Sequence, residues 1–118
     1  MSVVTNTILA CGLADSHEPN PPYSRDGATL LKHVNELPTL AGATGFVAVD
    51  GWHYGGTKAL ECFLAIAAFN YLDLDRLVAD LRTLPWEQPE CVQLLVREQE
   101  AIGFRIINVF PEAIDGLW

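Results

Sequence analysis

Basic residues are scarce in this chain of 118 residues. Seven lysines and arginines stand against 15 aspartates and glutamates, which gives a formal net charge of −8. Nucleic-acid phosphates and anionic membrane surfaces attract basic protein surfaces, so this balance argues against nucleic acid and against a membrane as partners. It permits a basic protein as a partner, because complementary charge favours association.

Long apolar runs are also missing. A transmembrane helix needs about 18 or more consecutive apolar residues, and the sequence has no such stretch. The first residues lack the basic flank of a secretory signal peptide, so we expect a cytoplasmic protein. Half of the residues are apolar, which is enough to build a hydrophobic core, and the length predicts one domain over residues 1–118.

The sequence lacks the patterns that mark known catalytic and metal sites. The HExxH, GxSxG, GxGxxG, P-loop and EF-hand spacings are all absent. We therefore predict no cofactor, no metal and no catalytic residue. His53 is the histidine with the most suggestive neighbours, because Asp50 could pair with it for proton transfer. A rigid aromatic turn is the favoured interpretation of that loop.

Cysteine is limited to three residues, Cys11, Cys62 and Cys91. They are odd in number, far apart and without CxxC spacing, so they do not form a disulfide framework or a redox motif. Their apolar surroundings predict buried reduced thiols, with a reactive or disulfide-forming cysteine as the alternative.

The most informative stretch that is present runs from Gly55 to Trp86. Its first part, ECFLAIAAFN at residues 61–70, is continuously apolar and too short for periodicity to separate strand from helix. The glycine turn before it and Asp73 after it favour a buried strand. A helix follows, capped by Asp73 and ended by Pro85, because apolar residues recur at i, i+3, i+4 and i+7: Leu74, Leu77, Val78 and Leu81.

The remaining elements complete an order of β-α-β-β-α-β-β. The apolar face of Leu30, Leu31, Val34 and Leu37 predicts a first helix, and Glu100–Gly103 is a predicted hairpin loop. The other predicted strands are Val3–Gly12, Gly45–Asp50, Cys91–Gln99 and Phe104–Phe110. Each half resembles a split β-α-β unit, so we predict an α+β, ferredoxin-like fold with an additional C-terminal strand. Both helices would then cover one face of an antiparallel sheet.

Two groups of residues are candidates for binding a partner. One is an aromatic, glycine-rich loop, and the other is a set of carboxylates in the C-terminal third of the chain. A solvated acidic surface explains the carboxylates without any partner. The alternative is an acidic face that binds a basic protein, with aromatic side chains as anchors and with Trp86 and Trp118 either anchoring or in the core. The candidate residues are Asp50, Trp52, His53, Tyr54, Glu87, Glu90, Glu98 and Glu100.

The stretch Phe69–Val109, FNYLDLDRLVADLRTLPWEQPECVQLLVREQEAIGFRIINV, resembles a pattern in small stand-alone bacterial proteins. Some of those proteins resemble immunity proteins of contact-dependent or secreted-toxin systems. The resemblance implies a small acidic domain that binds and neutralises a cognate effector. It carries no site residues over to this chain.

Three functional hypotheses remain open at this point. The leading one is an immunity or inhibitor protein that neutralises a basic effector, such as a toxin nuclease, by blocking its active-site cleft. The second is a small enzyme or ligand-binding domain with a pocket near the Trp52–Gly56 loop, where Asp50, His53 and Glu61 would supply the polar groups. The third is an oligomeric structural subunit, such as a homodimer, that buries the open face of its sheet against a second copy.

Overall fold

A computed structural model describes residues 3–12, 30–40, 44–49, 55–58 and 61–115 of the chain. The described residues form five strands: β1 (Val4–Gly12), β2 (Val47–Ala48), β3 (Cys62–Asn70), β4 (Gln93–Glu98) and β5 (Arg105–Asn108). They also form three α-helices: α1 (Leu30–Asn35), α2 (Leu74–Leu81) and α3 (Pro111–Asp115). Short 3₁₀ helices occur at Pro38–Leu40 and Pro89–Cys91. The predicted order of strands and helices is present, and α3 is an element that the sequence patterns did not predict.

The strands form one sheet in the order β2-β3-β1-β4-β5, and every neighbouring pair is antiparallel. The central strand is β1, which pairs with β3 along its whole length and with β4 on its other side. The predicted α+β class with an antiparallel sheet is therefore confirmed. The apolar run before α2 forms a strand, β3, as its flanking turn residues indicated. The expected burial of this strand is wrong, because only Ala65 and Phe69 are buried and alternate residues on its other face, such as Ile66 and Ala68, are exposed.

One face of the sheet carries the hydrophobic core. Side chains alternate between the two faces of a strand, and Leu9, Ala65 and Leu94 are fully buried neighbours on three adjacent strands. Val34 at α1 and Leu77 on α2 belong to the same buried cluster. Helices α1 and α2 therefore cover the same face. Within the part of the chain that the structure describes, no helix combines the length and the apolar character needed to cross a membrane.

The start of α2 is stabilised by Asp73, as the sequence predicted. Its carboxylate accepts a hydrogen bond from the backbone N–H of Arg76 at 3.2 Å. This bond satisfies one of the N–H groups that have no partner within the first turn of the helix. Leu72, before the cap, and Leu77, in the first turn, both contact the core, which fits a hydrophobic staple at this helix entry.

Replacing Asp73 with alanine is expected to lower the free energy of unfolding by about 1 kcal/mol, because the cap is lost. Chemical denaturation followed by circular dichroism measures this change. Asp73→Asn is the matched control, since asparagine keeps a side-chain oxygen that accepts the same hydrogen bond. Equal losses in the two variants would contradict a capping role.

A side chain at the end of α1 fixes the entry to β2. The amide of Asn35 donates to the carbonyl oxygen of Phe46 at 3.0 Å, and its Oδ1 accepts from the N–H of Phe46 at 2.7 Å. The ring of Phe46 packs edge-to-face on Phe69 of β3, with 5.6 Å between the centroids. The Asn35 amide therefore makes the two hydrogen bonds that a neighbouring strand would make to the Phe46 backbone. These bonds hold Phe46 in place, with its ring in the core.

Two further predictions about local structure are wrong. The second strand was expected over residues 45–50, but β2 has two residues. It begins after Phe46, because Asn35 already occupies the hydrogen-bonding groups of that residue. Burial of all three cysteines was also expected, and only Cys11 is buried. Cys62 lies on the face of β3 opposite the core, and Cys91 ends the 3₁₀ helix before β4, so both are exposed.

Candidate functional site

The four predicted carboxylates of the C-terminal third lie at two opposite ends of β4. Glu87 and Glu90 precede the strand, whereas Glu98 ends it and Glu100 lies in the hairpin that follows. The strand has six residues, which corresponds to roughly 20 Å. The structure therefore separates these residues into two pairs, and only Glu98 and Glu100 share one end of the sheet.

At the Glu98 end, a shallow concave site of about 360 Å³ is lined by charged residues of two distant segments. We call it the acidic cavity. Its lining residues are Val3, Thr5, Leu72, Asp73, Leu74, Asp75, Glu98 and Arg105. The structure thus brings Glu98 together with Asp73 and Asp75, two carboxylates that sequence reasoning had not included in a binding site.

The pairing of β1 explains how these segments meet. Val4 lies opposite Asn70 at the end of β3, and Thr5 lies opposite Glu98 at the end of β4. Tyr71 follows β3 with a φ of 53° and donates its N–H to the carbonyl oxygen of Val3 at 2.9 Å. This turn directs the chain into α2 at the same end of the sheet, so the first turn of α2 faces the end of β4.

The charges of the acidic cavity are unbalanced. Arg105 donates to the Glu98 carboxylate at 2.6 Å, and both side chains are more than half exposed. An exposed pair of this kind contributes at most about 1 kcal/mol to stability, so Arg105 can exchange partners readily. Asp73 and Asp75 add two exposed carboxylates at the start of α2. The lining therefore keeps an excess of negative charge that a lysine or arginine side chain of another protein complements.

Glu112 has a different role. Arg82 donates to its Oε1 at 2.5 Å and to the carbonyl oxygen of Val109, and the guanidinium lies 5.0 Å from the ring centroid of Phe110. The hydrogen bond from Arg82 holds the pKa of the Glu112 carboxyl below its usual value. These contacts attach α3 to the end of α2, so this carboxylate serves the fold.

The predicted aromatic loop lies outside the described residues. Asp50, Trp52, His53 and Tyr54 therefore stay a prediction, as does the pocket proposed beside them. The neighbouring residues 55–58 are exposed. Glu61 is also exposed and directly precedes β3. Among the residues that the structure describes, no three histidine, cysteine or carboxylate side chains are grouped to hold a metal ion.

Trp86, one of the predicted aromatic anchors, packs against the core. Its indole N–H donates to the carbonyl oxygen of Leu81 at 2.8 Å, and the ring is half-buried beside the core cluster. The same carbonyl, at the C-terminal end of α2, also accepts the N–H of Leu84 at 3.3 Å, so the indole is its second donor. Trp86 is therefore a structural residue, and Trp118 lies outside the described part of the chain.

No protein-family model, curated protein or solved structure matches this chain. The functional argument therefore depends on the chemistry of its own residues.

Proposed function

We propose that this chain is a small acidic protein-binding domain of the immunity or inhibitor type, which neutralises a basic effector such as a toxin nuclease. The acidic cavity is the observation that supports this proposal. It offers three carboxylates and one weakly held guanidinium in a concave site, where a cationic side chain of the effector can replace Arg105 beside Glu98. The domain would then cover the basic active-site cleft of the effector.

The stretch Phe69–Val109 resembles a pattern in small stand-alone bacterial proteins, some of which resemble immunity proteins, and this supports the same proposal. All four charged residues of the acidic cavity fall within that stretch, although the resemblance itself assigns no site residues. Glu100 extends the negative charge from the cavity into the β4–β5 hairpin, where its φ is 69°. An acidic surface of this kind accelerates the encounter with a basic protein and makes the association rate fall as salt screens the charges.

We further propose a ferredoxin-like arrangement for the first four strands. The order β2-β3-β1-β4, with antiparallel neighbours and α1 and α2 on one face, supports it. Strand β5 extends this sheet beside β4.

We also propose that the protein is cytoplasmic, because the exposed thiol of Cys62 suits a reducing compartment.

Charge reversal at the acidic cavity tests the proposed function. The tagged chain is used to capture proteins from a lysate of its source organism at low and high salt, and mass spectrometry identifies them. We expect a stoichiometric basic protein at low salt, with capture reduced about tenfold or more by the double change Glu98→Lys and Glu100→Lys. The association rate with that protein, once purified, should fall in the same variant.

The double change Glu87→Lys and Glu90→Lys is the matched control, because it alters the net charge equally at the other end of β4. We expect this control to retain most of the capture. Equal loss in both variants would mean that overall charge, and not the acidic cavity, recruits the partner. Capture that is unchanged in both would remove the acidic surface from the function.

A further inference from the structure

The face of the sheet opposite the core carries an uninterrupted line of aliphatic side chains. Ile8 of β1 lies opposite Ile66 of β3 on one side and opposite Leu95 of β4 on the other. Ile66 in turn lies opposite Val47 of β2, and Leu95 lies opposite Ile106 of β5. We call these five residues the apolar row. Three of the five side chains are at least half exposed: Val47 and Ile106, at the two ends of the row, are 60% and 59% exposed, and Ile66 is 50% exposed. Solvent therefore contacts an aliphatic side chain on nearly every strand.

The positions on either side of the apolar row are small or uncharged, apart from Arg97. The register places Asn6 between Ala68 and Arg97 on one side of the row, and Ala10 between Leu64 and Gln93 on the other. Among the paired strand positions of this face, Arg97 is the charged side chain and no carboxylate occurs. The face thus differs from the remaining surface of a chain with a net charge of −8.

We propose that the apolar row is the interface of a homodimer, in which the open faces of two sheets pack against each other. The charges favour a second copy of the chain over a basic partner at this face. Two copies with a net charge of −8 repel each other at most orientations, and this face lets them approach without opposing carboxylates. A basic partner, by contrast, is attracted to the acidic surfaces elsewhere on the chain. The inference therefore does not depend on the proposed effector.

The size of the face suits a weak, concentration-dependent dimer. From β2 to β5 in sheet order, the strands have two, nine, nine, six and four residues, and at about 3.3 Å per residue and about 4.8 Å between strands they cover roughly 480 Å². Two such faces together bury roughly 950 Å², which lies in the range below about 1,200 Å² that is typical of weak interfaces. Packed sheets lie about 10 Å apart with nearly aligned strands, a geometry in which aliphatic side chains fill the gap.

The shape of the face also fits a two-fold arrangement. It contains a groove of about 580 Å³ whose lining includes Ile8, Val47, Ile66 and Phe104. A two-fold axis parallel to β1 places the β5 edge of one copy over the β2 edge of the other. Phe104, which is 48% exposed, then enters the groove of the other copy beside Val47. In this arrangement Arg97 of one copy lies over the small side chain of Ala68 of the other copy, so the Arg97 side chains of the two copies do not oppose each other.

Sedimentation velocity on the full chain, from micromolar to millimolar concentrations, tests this proposal. We expect a concentration-dependent dimer. Ile66→Glu is expected to raise its dissociation constant about 100-fold or more, because each dimer would bury two unpaired carboxylates. Ile106→Glu, at the end of the row, should also raise the dissociation constant. Since both positions are at least half exposed, the monomers should keep their fold, which circular dichroism and thermal unfolding verify.

Ile102→Glu is the matched control, because Ile102 is fully exposed in the β4–β5 hairpin and lies outside the apolar row. This variant should dimerise like the unaltered chain. Added salt should strengthen the dimer by screening repulsion between like-charged copies, whereas it should weaken a complex with a basic effector. The two proposals can therefore fail separately.

Three results would overturn the dimer. One is a chain that stays monomeric over the whole concentration range at high salt. Another is a dimer that Ile66→Glu and Ile106→Glu leave intact. The third is a folded monomer that binds the apolar dye 1-anilinonaphthalene-8-sulfonate at one site lost in Ile66→Glu, since the groove would then be a small-molecule site.

Discussion

Replacing Leu77 with alanine is expected to lower the free energy of unfolding by about 2–5 kcal/mol. Leu77 has no exposed surface and lies in the core cluster between α2 and the sheet. The change removes the transfer free energy of three buried carbon atoms and leaves a cavity that the surrounding strands fill only in part. Because small domains are stable by about 5–15 kcal/mol, this loss is a large share of the total. Urea denaturation with a two-state fit measures it.

Arg76→Ala is the matched control for Leu77. Arg76 precedes Leu77 in α2, its side chain is exposed, and it receives the same new residue, so changes in helix propensity are similar and small. We expect a change within about 0.5 kcal/mol, as for other exposed positions. A loss at Leu77 no larger than that of the control would show that α2 does not pack on the sheet as described.

Gly45→Ala is the second change with a large expected effect. A β-carbon at residue 45 would lie well inside van der Waals contact with the side-chain amide of Asn35. That amide cannot move without losing both of its hydrogen bonds to Phe46. We expect a loss of about 2–4 kcal/mol, from steric displacement together with two partly buried hydrogen bonds. Thermal and urea unfolding measure this loss.

A double-mutant cycle separates this mechanism from a general effect of alanine at residue 45. Asn35→Ala alone should cost about 1–3 kcal/mol, because the backbone groups of Phe46 lose their partners. Once Asn35 is alanine, Gly45→Ala should cost less than in the unaltered chain, since the contacts with Oδ1 and Cγ of residue 35 are gone and only the contact with its β-carbon, at 2.9 Å, remains. Additive losses would contradict the coupling between these two residues. Gly55→Ala is a suitable control, because open space surrounds that position.

Local patterns were sufficient to predict most elements of the fold. The stripe from Leu74 to Leu81 and the cap at Asp73 identified α2, because a helix is stabilised by contacts between residues three and four positions apart. The turn residues beside β3 distinguished a strand from a helix. By contrast, β2 was predicted too long and α3 was missed. Both depend on contacts from distant residues, namely Asn35 with Phe46 and Arg82 with Glu112.

The candidate site was predicted only in part, for a similar reason. Charge composition indicated that acidic residues are the groups to consider, and Glu98 was among those named. Its association with Asp73 and Asp75 depends on β1 pairing with both β3 and β4, which sets segments more than twenty positions apart at one end of the sheet. The same pairing separates Glu98 from Glu87 and Glu90, which are nearer in the sequence.

The sequence by itself determined the net charge, the α+β class and the residues of α2 that face the core, because composition and short-range periodicity contain this information. The tertiary structure alone decided which carboxylates share a cavity and that Val47, Ile66, Ile8, Leu95 and Ile106 form one line across the sheet. Strand register has no local signature, since it is set by the hydrogen-bonded alignment of segments that are distant in the chain and is fixed only when one face of the sheet is buried.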